Sequence, residues 1–167
     1  MEYEVRRART PDVRAIRALV DANARSGRLL DKATVALYED VLEFWVAATP
    51  AGDIIGCGAL HVMWEDLAEI RTVAVSAEHQ GHGVGNRIVL ALLAAAREVG
   101  VSRVFVLTFA VEFFRRHGFA EIHGQTTTPD VYAELLHSYD EGVAEFLDLD
   151  RVKPNTLGNT RMLLRMR

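Results

Sequence analysis

Three glycines within five residues, Gly81, Gly83 and Gly85, join an apolar run to a long amphipathic one. Thr72-Val73-Ala74-Val75 closes a strand pattern that begins at Glu69. From about Gly85 to Val99 the pattern is a strongly apolar helix, stopped by Gly100. Glycines let backbone N–H groups converge and admit a ligand closely. The helix start adds unsatisfied N–H donors and partial positive charge. Together they make an anion site suited to a pyrophosphate. A turn that merely needs positive φ would use the same glycines, and only the flanking strand and helix favour the cradle.

The spacing narrows the phosphate ligand. A Walker loop needs Gly-Lys-Ser/Thr, whereas Gly85 precedes Asn86-Arg87. A dinucleotide fingerprint wants Gly or Ala at position 86 and an acid about 20 residues on. The stretch 103–109 holds no acid.

The rest of the chain frames this loop. Glu4–Arg9 is a short strand. Thr10-Pro11-Asp12 reads as a helix start, with Thr10 as N-cap, and Val13, Ile16, Leu19 and Val20 follow at helical spacing. A second helix covers roughly Lys32–Leu42, with Val35 and Tyr38 turned inward. Phe44–Ala48 and Ile54–Met63 form a hairpin around a five-residue loop. Arg103–Phe109 is a strand buried on both faces. Val111–His117 is a short helix and Phe119–Ile122 a strand. Thr128-Pro129-Asp130 opens another helix to about Tyr139, and Arg161–Arg165 is the final strand. The stretch 140–160 shows no readable pattern. The order β-α-α-β-β-β-α-β-α-β, an insertion, then β predicts an α/β chain with a mixed sheet rather than a doubly wound one. With 167 residues and no linker, it reads as one domain spanning 1–167.

Nineteen Lys and Arg against 23 Asp and Glu give a net charge of −4, which offers no global attraction to nucleic acid or anionic membranes. The N-terminus has no apolar signal region and no apolar run approaches membrane-spanning length, so a cytoplasmic location is expected. One cysteine, Cys57, excludes an internal disulfide. Flanked by Gly56 and Gly58, it reads as a small packing residue near a bulge. His79, His82 and His117 lack metal-ligand spacing, so no metal is expected.

Gln80-Gly81-His82-Gly83-Val84-Gly85, in this element order, resembles the acetyl-CoA motif of GCN5-related N-acetyltransferases (GNAT), and the resemblance covers Arg6 to about Ile122. It implies a central, mostly antiparallel sheet of about six to seven strands with helices on both faces. Acetyl-CoA would be the co-substrate, held by Val73, Ala74, Val75 and the run Gln80, Gly81, His82, Gly83, Val84, Gly85 and Asn86. Glu69-Ile70-Arg71-Thr72-Val73-Ala74-Val75, Phe105-Val106-Leu107-Thr108 and Phe113-Phe114-Arg115-Arg116-His117-Gly118-Phe119 are similar to the acetyltransferase domain of bacterial N-acetylglutamate synthases. So are Gly27-Arg28-Leu29-Leu30 and Asn159-Thr160-Arg161-Met162-Leu163-Leu164. This chain looks like a short stand-alone form without the kinase-like domain. The implied reaction is acetylation of the α-amine of glutamate or glutamine, the first step of arginine biosynthesis. Another small amine, a protein amine or a non-catalytic acetyl-CoA module are the alternatives. A small amino acid is the expected partner, and a homodimer is left open.

Attack of an amine on a thioester needs a proton acceptor, oxyanion donors and a proton for the thiolate. Glu69 is the expected general base, with Glu65 and Asp66 as nearby alternatives. The family's tyrosine falls at Phe114, which has no hydroxyl, so Thr108 is the candidate proton relay. Arg71, two residues from Glu69 along a strand, is the best-placed cation for the substrate carboxylate. Lys32, His61, Thr160 and Arg161 are assigned to the substrate by resemblance. Arg115, Arg116 and His117 could meet the CoA 3′-phosphate or form a solvated basic face.

Overall fold

The computed structural model describes residues 1–23, 33–153 and 158–167. The strands are β1 (Glu4–Arg7), β2 (Phe44–Ala48), β3 (Ile54–Trp64), β4 (Leu67–Val75), β5 (Arg103–Thr108), β6 (Ala120–Glu121) and β7 (Thr160–Arg165). The helices are α1 (Val13–Asn23), α2 (Thr34–Glu39), α3 (Val84–Val99), α4 (Val111–Arg116), α5 (Pro129–Leu135) and α6 (Glu141–Phe146). The seven strands lie in the order β1-β2-β3-β4-β5-β7-β6. β4 and β5 are parallel, while β1–β2, β2–β3, β5–β7 and β6–β7 are antiparallel. This is the mixed sheet that the element order predicts, and it is mostly antiparallel as the resemblance implies. The chain packs as two compact units, residues 1–61 with 70–95, and 62–69 with 96–167.

In the first unit the apolar stripe of α1 supplies Val13, Ile16 and Leu19 to a core with Leu37, Val41, Phe44, Val46, Cys57 and Ala59. Thr10 is not the N-cap. One turn of 3-10 helix, Thr10–Asp12, precedes α1, and Asp12 Oδ2 accepts the Arg9 backbone N–H at 2.8 Å. The inward residues of α2 are also corrected. The helix ends at Glu39 and a 3-10 turn follows, so the buried pair is Leu37 and Val41. Val35 and Tyr38 lie on the solvent side, with Leu42 exposed beyond them. Gly56 and Gly58 have a packing role that the sequence left open. A Cβ on either would stand 2.7–3.0 Å from Ile88, Val84 or Leu92 of α3, so only glycine lets the helix close on β3. Cys57 between them is fully buried, with its thiol pushed up to about 12 by burial, and is a packing residue.

The second unit is organised by β5, whose Val104, Phe105 and Val106 are buried as the apolar run predicts. The insertion gives this unit a core. Leu135, Val143, Phe146 and Leu147 pack with Leu67, Phe105 and Leu163, and the Phe105 and Phe146 rings meet edge-on at 5.3 Å. Thr128 caps α5 as the Thr-Pro-Asp signal predicts, but the helix stops at Leu135, leaving Tyr139 exposed. In the unreadable stretch, Asp140 caps α6 by accepting the Val143 N–H at 3.1 Å.

Candidate active site

The glycine turn is built as a backbone cradle. Gly81 and Gly83 have φ of 77° and 82°, values that favour glycine. No heavy atom lies within 4 Å of a Cβ placed on either one, so the space in front of them is open. Arg87 N–H closes the first helical turn on Gly83 O at 3.1 Å. The N–H groups of Val84, Gly85 and Asn86 therefore belong to the unsatisfied helix start. Gly85 lies inside α3 and supplies an N–H rather than a turn. The side chains around the loop are braces. Gln80 Nε2 donates to Val75 O at 3.1 Å and His82 Nδ1 lies 2.9 Å from Gln80 O. Asn23 Nδ2 donates to Val75 O at 3.2 Å. Two side chains thus engage the Val75 carbonyl. Arg87 caps the outer side, its guanidinium 4.6 Å from the Tyr3 ring centroid.

Just before this loop, β4 holds a conformational outlier. Thr72 has φ of 59°, and its carbonyl accepts the Cys57 thiol at 3.5 Å. A non-glycine residue in the left-handed region within a strand breaks the alternation of the ladder. The regular face alternation expected from Glu69 onward ends here, one residue after the partly buried Arg71. The sequence carried no sign of it, because Thr-Val-Ala-Val is an ordinary strand pattern.

In the second unit, Glu69 lies on β4 opposite Phe105 of β5 and is 4% exposed. Asp66 is held in an ion pair: Arg103 Nε and Nη2 donate to its two oxygens at 2.9 and 3.2 Å. Glu65 is exposed on the hairpin turn. Thr108 is buried at the end of β5, where its Oγ1 accepts the Ala110 N–H at 2.8 Å. That contact keeps the hydroxyl proton available for donation. The β5–β7 ladder sets Thr108 opposite Thr160 and Leu107 opposite Arg161. Arg161 departs from a simple carboxylate ligand. Its Nε donates to Glu145 O at 3.1 Å, and Nη2 donates to the carbonyls of Gly124 and Phe146. Burial lowers its pKa. It is a clamp on the insertion. Phe114 is buried against Phe113 and Phe119, a packing residue as its lack of a hydroxyl requires. His117 is pushed toward its neutral form by burial and by Arg116.

His61, on β3 of the first unit, has a partner that the sequence did not reveal: its Nδ1 lies 2.6 Å from Glu43 Oε1. The register that sets Phe44 opposite Ala59 brings Glu43 alongside. Lys32 lies outside the described residues. Among the described residues, no group of three or more His, Cys, Asp or Glu could hold a metal ion, and no helix is long and apolar enough to cross a membrane.

A strand, a glycine turn with open space before it, and a helix start within this mixed sheet define an acetyltransferase of the GNAT class. Residues 7–119 match the Acetyltransferase (GNAT) family, and the chain belongs to it. It is 61% identical over 163 residues to an amino-acid acetyltransferase of Mycobacterium tuberculosis, covering 96% of this chain and 92% of that protein. An amino-acid acetyltransferase of Neisseria meningitidis is 33% identical over 132 residues, covering 78% of this chain but 29% of that longer protein. The crystal structure of Rv2747 from Mycobacterium tuberculosis, in complex with CoA and NLQ, superposes with a TM-score of 0.93 at 59% identity, covering 98% and 99% of the two chains.

Proposed function

We propose that this chain is an acetyl-CoA-dependent amino-acid N-acetyltransferase acting on the α-amine of L-glutamate or L-glutamine. The observation that carries the reading is the backbone cradle at Gly81–Asn86, taken with 61% identity along nearly the whole of a protein named for this activity. The cradle's N–H groups neutralise a pyrophosphate without a lysine. Val73 and Val75 offer backbone groups to pantetheine and the thioester carbonyl. Arg71 pairs with the substrate carboxylate, and Thr160 and Arg161 are assigned to the substrate with it. Glu69, directly or through one water, takes the proton from the ammonium, and the Thr108 hydroxyl serves the departing thiolate. The whole chain acts as one catalytic domain in the cytoplasm, and its product enters arginine biosynthesis.

Thiol release from acetyl-CoA, measured with a panel of free amino acids and a lysine peptide, tests this reading. Turnover highest with glutamate or glutamine is expected. Turnover confined to the peptide, or acetyl-CoA binding with no turnover, would overturn it.

A further inference from the structure

Cys57 packs in the core of the first unit, but packing does not use its proton. The thiol donates to the Thr72 carbonyl at 3.5 Å. Burial pushes the thiol up to about 12, against a smaller downward pull from the Ala74 backbone, so at neutral pH it keeps that proton. A thiol is a weak donor, yet Cys57 is fully buried, where no water competes for the carbonyl. The acceptor belongs to Thr72, whose φ of 59° is disfavoured for a β-branched residue. Such a conformation persists only where its surroundings hold it. The Cys57 thiol is a contact that does so.

The direction of that bond fixes a second group. The Thr72–Val73 peptide is trans, so its C=O and N–H point opposite ways. With the carbonyl turned to Cys57, the Val73 N–H is turned away from it. On its other edge β4 pairs with β5 only from Leu67 to Glu69, so that ladder stops short of Val73. Two contacts tie this part of β4 to the cradle, which lies in the same compact unit. A Cβ placed on Gly58 would stand 3.4 Å from Val73 Cγ2 and would also meet Ile88 and Leu92 of α3, the helix that starts at the cradle. Two residues on, Gln80 braces the Val75 carbonyl at 3.1 Å.

We infer that Cys57 is a positioning residue for the reaction: by holding the Thr72 carbonyl, it aims the Val73 N–H at the thioester carbonyl of acetyl-CoA. This rests on the function proposed above, and adds to the Val73 assignment the residue that sets its direction. Attack of the amine turns the neutral carbonyl oxygen into an oxyanion, and a fixed N–H donor stabilises the charge that develops there. Cys57 itself neither gives up its proton nor touches the substrate.

Steady-state kinetics of the full chain, combined with ¹⁵N NMR of the Val73 amide, provide the test. Cys57→Ala removes the donor, Cys57→Val fills the space without one, and Cys57→Ser keeps a donor. Losing an oxyanion donor outright costs about 10²- to 10³-fold in kcat, and a donor that is present but misdirected should cost about tenfold. Cys57→Ala and Cys57→Val should both lower kcat by that factor, with KM for the amino acid unchanged. Cys57→Ser should recover most of the loss. In the wild type the Val73 amide signal should shift more with acetyl-CoA than with CoA, which lacks the carbonyl. Cys57→Val should abolish that difference. Unchanged kcat in Cys57→Val would overturn the inference, as would a wild-type Val73 signal that responds alike to acetyl-CoA and CoA. A loss in Cys57→Ala that Cys57→Val restores would show a packing role and also overturn it. Wild type that releases no thiol with any amino acid would overturn the function proposed above, while the Val73 signals still decide whether Cys57 aims the amide.

Discussion

The glycine turn at 80–86 and the far end of the β5–β7 ladder use opposite materials. The turn presents backbone N–H groups from a handful of consecutive residues, and its side chains (Gln80, His82, Asn23) only brace it. The ladder end relies on side chains set by antiparallel pairing of distant segments, with Thr108 opposite Thr160 on one face and Arg161 opposite Leu107 on the other. A backbone site tolerates change at most side chains but not at its glycines. A side-chain site depends on each residue separately.

The largest effect belongs to a side chain. Glu69→Gln removes a proton acceptor while keeping shape. General-base assistance is worth about 10²- to 10⁴-fold, so kcat at neutral pH should fall in that range. The loss should shrink as pH rises and solvent supplies free amine. Near-wild-type kcat across pH 6 to 9 would remove Glu69 from the proton path.

Next comes the backbone site. Gly83→Val forces a β-branched residue into φ of 82° and fills the open space before the turn. Left-handed strain alone costs about 1–3 kcal/mol. That strain lowers stability, while the side chain occupying the ligand's space displaces its contacts, so acetyl-CoA affinity in a titration should fall roughly ten- to a hundredfold with circular dichroism native-like. His82→Ala, in the same loop, should change affinity far less. Equal losses for the two would mean that side chains, not backbone, hold the ligand.

A third test separates holding the ligand from holding the fold. Arg161→Met removes a side-chain donor from the carbonyls of Gly124, Glu145 and Phe146, of which Glu145 O keeps the Asp148 N–H at 3.1 Å and the Gly124 contact is exposed. An orphaned buried group costs about 1–3 kcal/mol, so Tm should drop by several degrees. Arg71→Ala should instead raise KM for the amino acid, about ten- to a hundredfold, with Tm little changed. Reversed outcomes would exchange the roles of the two arginines.

The same contrast explains what the sequence made legible. Contiguous features were readable: the glycine turn, the α1 stripe, the buried run of β5 and the Thr-Pro-Asp cap of α5. Features set by pairing across the chain were not. Nothing local marks Glu43 as the partner of His61, because the β2–β3 register creates that contact. The hold of Arg161 on the insertion was hidden because its carbonyl partners lie in a stretch whose α6 is short and has no long apolar period. The α2 residues were assigned inward from a helix read as longer than it is, and a few residues of extra length move the apolar stripe. Asp12 was missed as a cap because Thr10-Pro11 offered the stronger local signal.

Asp12 provides the smallest effect, and one outside both sites. Arg6 donates to its two oxygens at 2.8 and 3.1 Å, and the Arg9 N–H adds a third contact. The Arg6 hydrogen bond is the main cause holding the Asp12 carboxyl below its ordinary value of 3.8, against a smaller upward push from burial. A depressed folded pKa means that the unfolded chain binds the proton more readily. The stabilisation is therefore complete above the unfolded value and is lost as pH falls through the lower, folded one. Arg6 is about a quarter exposed, so the pair is screened, and about 1 kcal/mol is a fair scale. For a chain this long that corresponds to roughly 2–4 °C in Tm. Asp12→Asn should melt lower than wild type by that amount at pH 7. The gap should hold down to about pH 4 and close below 3.8 as the wild-type carboxyl takes its proton. A constant gap through pH 3 would mean that Asp12 acts through its shape and backbone contact rather than its charge. Because the pair belongs to neither site, acetyl-CoA affinity at pH 7 should not change in this variant.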